Sequence, residues 1–183
     1  MWRGHIYMGG LDREKELGSN KILKYSQELE LVDSWGGPGT GDGQFNLPRS
    51  IVQDSRGNYY VSDELNHRIQ KVSENGEFIA SYGSYGSQEG YFAVQQGLSI
   101  DAQDRVYVAD TYNNRIQVFE TYPSWEYVDS FGTFLGSVGG IGGPYGYGTA
   151  LNYSLYPKQA AVDEYSTLYV ADFGNGRVAK NML

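Results

Sequence analysis

The sequence predicts an all-β fold in which one four-stranded antiparallel meander recurs along the chain. The first observation behind this is a phrase spelled three times. It reads Tyr60-Val61-Ser62-Asp63 with Asn66-His67-Arg68-Ile69-Gln70, then Tyr107-Val108-Ala109-Asp110 with Asn113-Asn114-Arg115-Ile116-Gln117, then Tyr169-Val170-Ala171-Asp172 with Asn175-Gly176-Arg177-Val178. The second is its spacing: Asp54 to Asp101, Asp63 to Asp110 and Arg68 to Arg115 are each 47 residues, and the following step is 62 in each case. The third is composition, with 25 Gly and 17 Tyr but only 5 Pro, the balance of aromatic-rich strands joined by many tight turns. A fixed period of this size marks a unit that cannot bury its apolar face alone and is stacked on copies of itself.

The elements follow in order. Residues 4–8 match 57–61 and form a strand b; residues 20–25 form a strand c, with Lys21 in place of the repeated Arg; residues 29–35 form a strand d. Gly10 stands where this first copy should carry its Asp, and the b–c loop, residues 11–18, is six residues longer than its counterpart. The first full unit has strands over 50–53, 59–62, 68–72 and 78–82, and the second over 98–100, 106–109, 115–119 and 126–131. The last unit has 160–162, 168–171 and a strand from Arg177. Runs of this length, rich in Val, Ile, Tyr and Phe and bounded by Gly, Asn and Asp, are strands rather than helices. The fifteen extra residues of the long step divide into two near Pro123 and thirteen between Phe131 and Pro157, within a Gly- and Tyr-rich insertion. Four strands per 40–50 residues is the pattern of a β-propeller blade.

The expected organisation is one domain of four pieces: 1–35, a partial blade with strands b, c and d; 36–83 and 84–132, full blades; and 133–183, the insertion followed by strands a, b and c. This is a partial, open ring of four-stranded antiparallel blades. The two ends overlap in strands b and c and cannot complete each other. The expectation is therefore a segment of a longer propeller or a protomer that self-associates, with missing blades or a partner at its open ends.

The phrase Gly43-Gln44-Phe45-Asn46-Leu47-Pro48, a short apolar strand ending in Asp, then Tyr-Val-Ala-Asp-x-x-Asn-x-Arg-Ile-Gln resembles the NHL repeat of six-bladed β-propellers. Gly90-Tyr91-Phe92 carries the opening without the Pro. The resemblance implies one of three functions: a binding scaffold, a propeller enzyme (a lyase or a metal-dependent lactonase-like hydrolase), or an RNA-binding domain.

Composition narrows these. The chain has 183 residues, 14 Lys and Arg against 22 Asp and Glu, and a net charge of −8, which disfavours nucleic acid or an anionic membrane as the main partner. With no Cys, disulfides, thiolate metal sites and Cys nucleophiles are excluded. No run of 18 apolar residues exists, and residues 1–7 have no apolar core of a signal peptide. The two His, His5 and His67, occupy different parts of adjacent units, so no His-based metal site is expected, and no EF-hand spacing occurs. No nucleophile constellation is present, and no catalytic residue, metal or cofactor is assigned. Asn152-Tyr153-Ser154 is a formal glycosylation triplet.

Recurrence assigns Asp63, Asn66, Arg68, Asp110, Asn113, Arg115, Asp172, Asn175 and Arg177 to structure: the Asp side chain satisfies backbone groups of its turn, and the Arg bridges back to the Asp or to a neighbouring blade. Tyr60, Tyr107 and Tyr169, with Trp35, Tyr82 and Phe131, are expected to pack between blades. Binding candidates are the residues that break the pattern. In a meander the b–c and d–a loops share one end of each sheet, and there lie Glu64, His67 and the insertion tyrosines Tyr145, Tyr147, Tyr153 and Tyr156. Tyr with Gly suits recognition of a protein, peptide or glycan.

Overall fold

The computed structural model describes residues 6–10, 20–131 and 156–182. Its strands are β1 (Ile6–Gly10), β2 (Lys21–Tyr25), β3 (Leu31–Gly36), β4 (Pro48–Gln53), β5 (Tyr59–Asp63), β6 (Arg68–Val72), β7 (Phe78–Tyr82), β8 (Gln95–Ile100), β9 (Val106–Asp110), β10 (Arg115–Glu120), β11 (Glu126–Phe131), β12 (Pro157–Val162), β13 (Thr167–Asp172) and β14 (Arg177–Met182). They make four antiparallel sheets in chain order, β1-β2-β3, β4-β5-β6-β7, β8-β9-β10-β11 and β12-β13-β14. Every strand lies within three residues of its expected place, β8 and β12 each starting three residues earlier. Strands b, c and d of the first piece, a to d of the two full pieces and a to c of the last are all present.

The burial of each strand explains its composition. β5 and β9 are buried along their whole length, so they read as unbroken runs, Tyr-Tyr-Val-Ser-Asp and Val-Tyr-Val-Ala-Asp. The outer strand β7 alternates half-buried and exposed positions, which is why polar residues interrupt it. The ladder between strands c and d shifts register at Lys24/Tyr25, Lys71/Val72 and Val118/Phe119, the same repeat position each time. A bulge there twists every outer strand alike.

The chain divides into two units, Met1–Ser84 and Tyr85–Leu183. In the first, Ile22 and Trp35 pack with Phe45, Tyr59, Val61 and Val72, so the core lies between two successive sheets. Trp35 meets Tyr59 at 5.6 Å between ring centroids. In the second, Tyr107, Ala109, Ile116 and Val118 pack with Ala160, Leu168 and Val170, and Phe131 closes the edge of this cluster. Each fully buried Ile, Leu or Val contributes roughly 1.5–3 kcal/mol over its exposed state. Gly97 sets the approach of β8 to β12: a Cβ there would lie 2.5 Å from the Lys158 carbonyl oxygen. That approach lets Gln159 Nε2 donate to the Leu98 carbonyl at 2.7 Å.

Candidate functional site

Three b–c connections, Glu64–Asn66, Thr111–Asn113 and Phe173–Asn175, are each a single 3-10 turn closed by a left-handed residue, His67, Asn114 or Gly176. The expectation that the preceding Asp caps its own turn does not hold, because none of Asp63, Asp110 and Asp172 makes a side-chain cap bond. The carboxylates of Asp63 and Asp110 face the d–a loop at the same end of the sheet.

In the first unit Asp63 Oδ1 accepts the Asn46 amide at 2.6 Å. Its Oδ2 accepts Asn66 Nδ2 at 2.9 Å, Arg68 Nε at 2.8 Å and Gln70 Nε2 at 3.0 Å. Those donors extend to the d–a loop: Asn66 to the Gly39 carbonyl, Arg68 Nη2 to the Gly41 and Gln44 carbonyls, and Gln70 to the Gln44 carbonyl. Gln70 Oε1 in turn accepts the Gly43 amide. A loop that has no strand partner is thus fixed by five side-chain groups. Its Phe45 is fully buried on Gly36, whose φ of +89° and lack of a side chain leave room for the ring.

The second unit repeats this device. Asp110 accepts the Ala93 amide, Asn113, Arg115 Nε and Gln117, while Asn113 holds the Gly86 carbonyl and Arg115 Nη2 holds those of Gln88 and Tyr91. Burial pushes the Asp110 carboxyl above its usual value, and the Ala93 amide, Asn113 and Arg115 pull it back. In the third copy Asp172 accepts Asn175 Nδ2 and Arg177 Nε, each at 2.8 Å, but Ala179 stands where Gln70 and Gln117 stand.

A second link joins successive copies within each unit. Asn20, left-handed at φ 42°, accepts the Leu47 amide at 2.9 Å. Asn114 does the same for Tyr156, at 2.9 Å. Leu47, Val94 and Tyr156 are equivalent positions, all with positive φ, just before the innermost strand. The opposite end carries a different Asp. Asp54, Asp101 and Asp163 cap their own turns and accept the hydroxyls of Tyr60, Tyr107 and Tyr169. Burial, with the Asp101 carboxylate, pushes the Tyr107 phenol upward, whereas the Thr167 and Tyr165 amides hold the Asp163 carboxyl below its usual range.

The binding candidates fall as follows. Tyr145, Tyr147 and Tyr153 lie outside the described residues. Glu64 is buried and ion-paired with Arg49. His67 is half-buried at the left-handed end of its turn, with its amide on the Glu64 carbonyl. Tyr156 is 44% exposed and meets Tyr112 edge-on, with centroids 5.8 Å apart. Tyr112 is 59% exposed and Phe173 70%, with Lys158 Nζ 5.5 Å from the Phe173 ring. Sequence reasoning passed over Tyr112, Lys158 and Phe173. The signal was present: between the fixed Asp and Asn of each turn the pair changes, Glu64-Leu65, Thr111-Tyr112, Phe173-Gly174. Among the described residues no cluster of three or more His, Cys, Asp or Glu could hold a metal ion, and no helix is long and apolar enough to cross a membrane.

Antiparallel four-stranded meanders, a recurring bulge and an Asp-centred lock on the two described d–a loops define a β-propeller repeat. The NHL repeat family matches two stretches of the chain, residues 45–72 and 96–119. The chain is similar to human NHL repeat-containing protein 3, with 37% identity over 70 residues, 36% of this chain and 18% of that protein. The mouse protein of that name is 35% identical over 51 residues, 28% of this chain and 15% of that protein. Solved structures with a similar fold include the virginiamycin B lyase of Staphylococcus aureus, at a TM-score of 0.56 and 12% identity over 91% of this chain and 50% of that one. Another is the calcium-binding protein regucalcin of Agrobacterium tumefaciens, at 0.59 and 14% over 92% and 49%. The chain thus spans about half the length of these structures and under a fifth of the curated relatives.

Proposed function

We propose that the chain is a non-catalytic NHL-type binding module, with the b–c and d–a end of its sheets as the ligand face for a protein, peptide or glycan. The observation that carries this is a division of labour at one end of each sheet. The Asp-Asn-Arg framework recurs and holds the two described d–a loops in place, while the residues it frames differ from copy to copy. In the second unit those residues present Tyr112, Tyr156, Lys158 and Phe173. Exposed aromatics on a fixed frame give contact area without ordering cost, and a Lys beside them adds one charged contact. The lyase and regucalcin likenesses, at 12–14% identity, carry the fold and no activity.

The test is a screen of the purified chain on peptide and glycan arrays, followed by titration of the best ligand against Tyr112→Ser and Phe173→Ser. Each substitution should weaken binding about tenfold, as loss of an exposed aromatic anchor does, with thermal stability unchanged. Ligand affinity that ignores both substitutions overturns the assignment of this face.

A further inference from the structure

Two positions of the repeat act as an internal control. Pro48, Gln95 and Pro157 are equivalent, since each faces the repeated Asp of the next strand. The residue after them and the first residue of the b–c turn are Arg49 and Glu64 in the first full copy, Gln96 and Thr111 in the second, and Lys158 and Phe173 in the third. In the first copy the two form an ion pair, with Glu64 buried. In the second both are uncharged, and the Thr111 hydroxyl donates to the Pro157 carbonyl at 2.8 Å. In the third the cation is kept but a ring replaces the carboxylate. Lys158 Nζ lies against the exposed Phe173 ring, and among the described residues it has no carboxylate partner. A ring attracts an ammonium but carries no net charge, so the charge of Lys158 is left for a ligand to match.

The surroundings of this cation are aromatic and their backbone is closed. Gly174 follows Phe173, so no neighbouring side chain in the turn shields the ring. Tyr156, two residues before Lys158, meets Tyr112 edge-on. The Tyr112 amide is on the Ala93 carbonyl, the Asn114 amide on Thr111, the Gly176 amide on Phe173 and the Tyr156 amide on the Asn114 side chain. These amides are not available to a peptide main chain. What the patch offers is ring surface, two phenol hydroxyls and one ammonium.

We propose that this patch takes a pyranose bearing a carboxylate, of the uronic-acid kind; the inference rests on the ligand-face reading above and names its ligand class. The C–H face of the sugar lies on the exposed rings, whose faces are electron-rich, and its carboxylate pairs with Lys158. The phenols of Tyr112 and Tyr156 serve the sugar hydroxyls. One ammonium suits one carboxylate, and a net charge of −8 repels a polyanionic ligand.

The experiment titrates the full, nitrogen-15-labelled chain with methyl glucuronide, methyl glucoside and a Gly-Glu-Gly peptide, read by amide NMR shifts. The uronide should shift the amides of Tyr112, Tyr156, Lys158 and Phe173. It should bind roughly twofold to fivefold tighter than the glucoside, the worth of one exposed charge pair, and the difference should shrink as salt is added. Lys158→Gln should abolish the difference and leave glucoside binding unchanged, whereas Lys158→Arg should keep it. Thermal melts check that both variants fold. Equal binding of the two sugars at these amides overturns the carboxylate assignment and leaves the turn-end face standing. Tighter binding of the peptide than of the uronide at the same amides does likewise. No response to either sugar overturns the sugar assignment, and the array screen then still tests the face. Shifts confined to the opposite end of the sheets, around Asp101 and Asp163, overturn both.

Discussion

At the scale of the residue, Asp110 shows what one carboxylate does here. It is fully buried and accepts four N–H donors, and Arg115, with 7% of its side chain exposed, has no solvent to fall back on. Removing one partner of such a pair leaves the other charge buried, a loss of about 3–5 kcal/mol. Asp110→Ala should therefore lose about that much by urea denaturation. Asp172→Ala should lose clearly less, because Arg177 is 26% exposed and Ala179 makes no clamp contact through a Gln. Equal losses would place the stabilisation elsewhere. The carboxyls also titrate with opposite signs about the ordinary value of 3.8. Asp163 is depressed, so its turn contributes stability that is present above 3.8 and is lost as pH falls through its lower folded value. Asp110 is raised, so its folded form holds the proton more tightly; protonation there favours folding on the acid side, and this contribution fades as pH rises from 3.8 to the folded value. Carbon-detected NMR titration should find Asp163 below 3.8 and Asp110 above it.

At the scale of the element, close approach matters more than propensity. Gly97 is the position where β8 meets β12, and any Cβ collides with backbone as well as with the Gln159 amide. Gly97→Ala should cost about 1–3 kcal/mol by overpacking, whereas Gly90→Ala meets open space and is opposed only by its φ of +78°. A thermal melt in which Gly97→Ala is harmless would show that β12 can move away. The sequence makes the strands easy to find, because a period of 47 repeats their boundaries and strands buried on both faces read as apolar runs. It hides the loop lock, because Asp63 and Asn46 are 17 residues apart and each alone looks like a turn residue. The constant separation recurs at Ala93–Asp110, and Gln70 and Gln117 stand in the repeated Arg-Ile-Gln, so the lock was written in the spacing rather than in any single motif. Tyr112 and Phe173 were hidden for the opposite reason. They interrupt the repeat at positions where the fixed neighbours draw attention to themselves.

At the scale of the whole molecule, charge decides between partner classes. The chain carries 14 Lys and Arg against 22 Asp and Glu. Among the described residues, six of those cations, Arg49, Arg68, Lys71, Arg105, Arg115 and Arg177, are already in ion pairs with Asp or Glu. The guanidinium groups of Arg68 and Arg115 also spend a further nitrogen on loop carbonyls. A polyanion gains affinity by releasing counterions, about one for each phosphate it gives to a Lys or Arg, and cations committed to buried carboxylates cannot be lent without breaking the lock. The net charge of −8 adds long-range repulsion that weakens only as salt screens it. The chain should therefore pass through heparin at about 0.15 M salt without retention. Its affinity for single-stranded RNA should be weak, with a shallow dependence on salt. Retention beyond about 0.3 M, with a steep salt slope, would mean that a basic face operates outside these ion pairs and would replace the protein, peptide or glycan reading with an RNA-binding one.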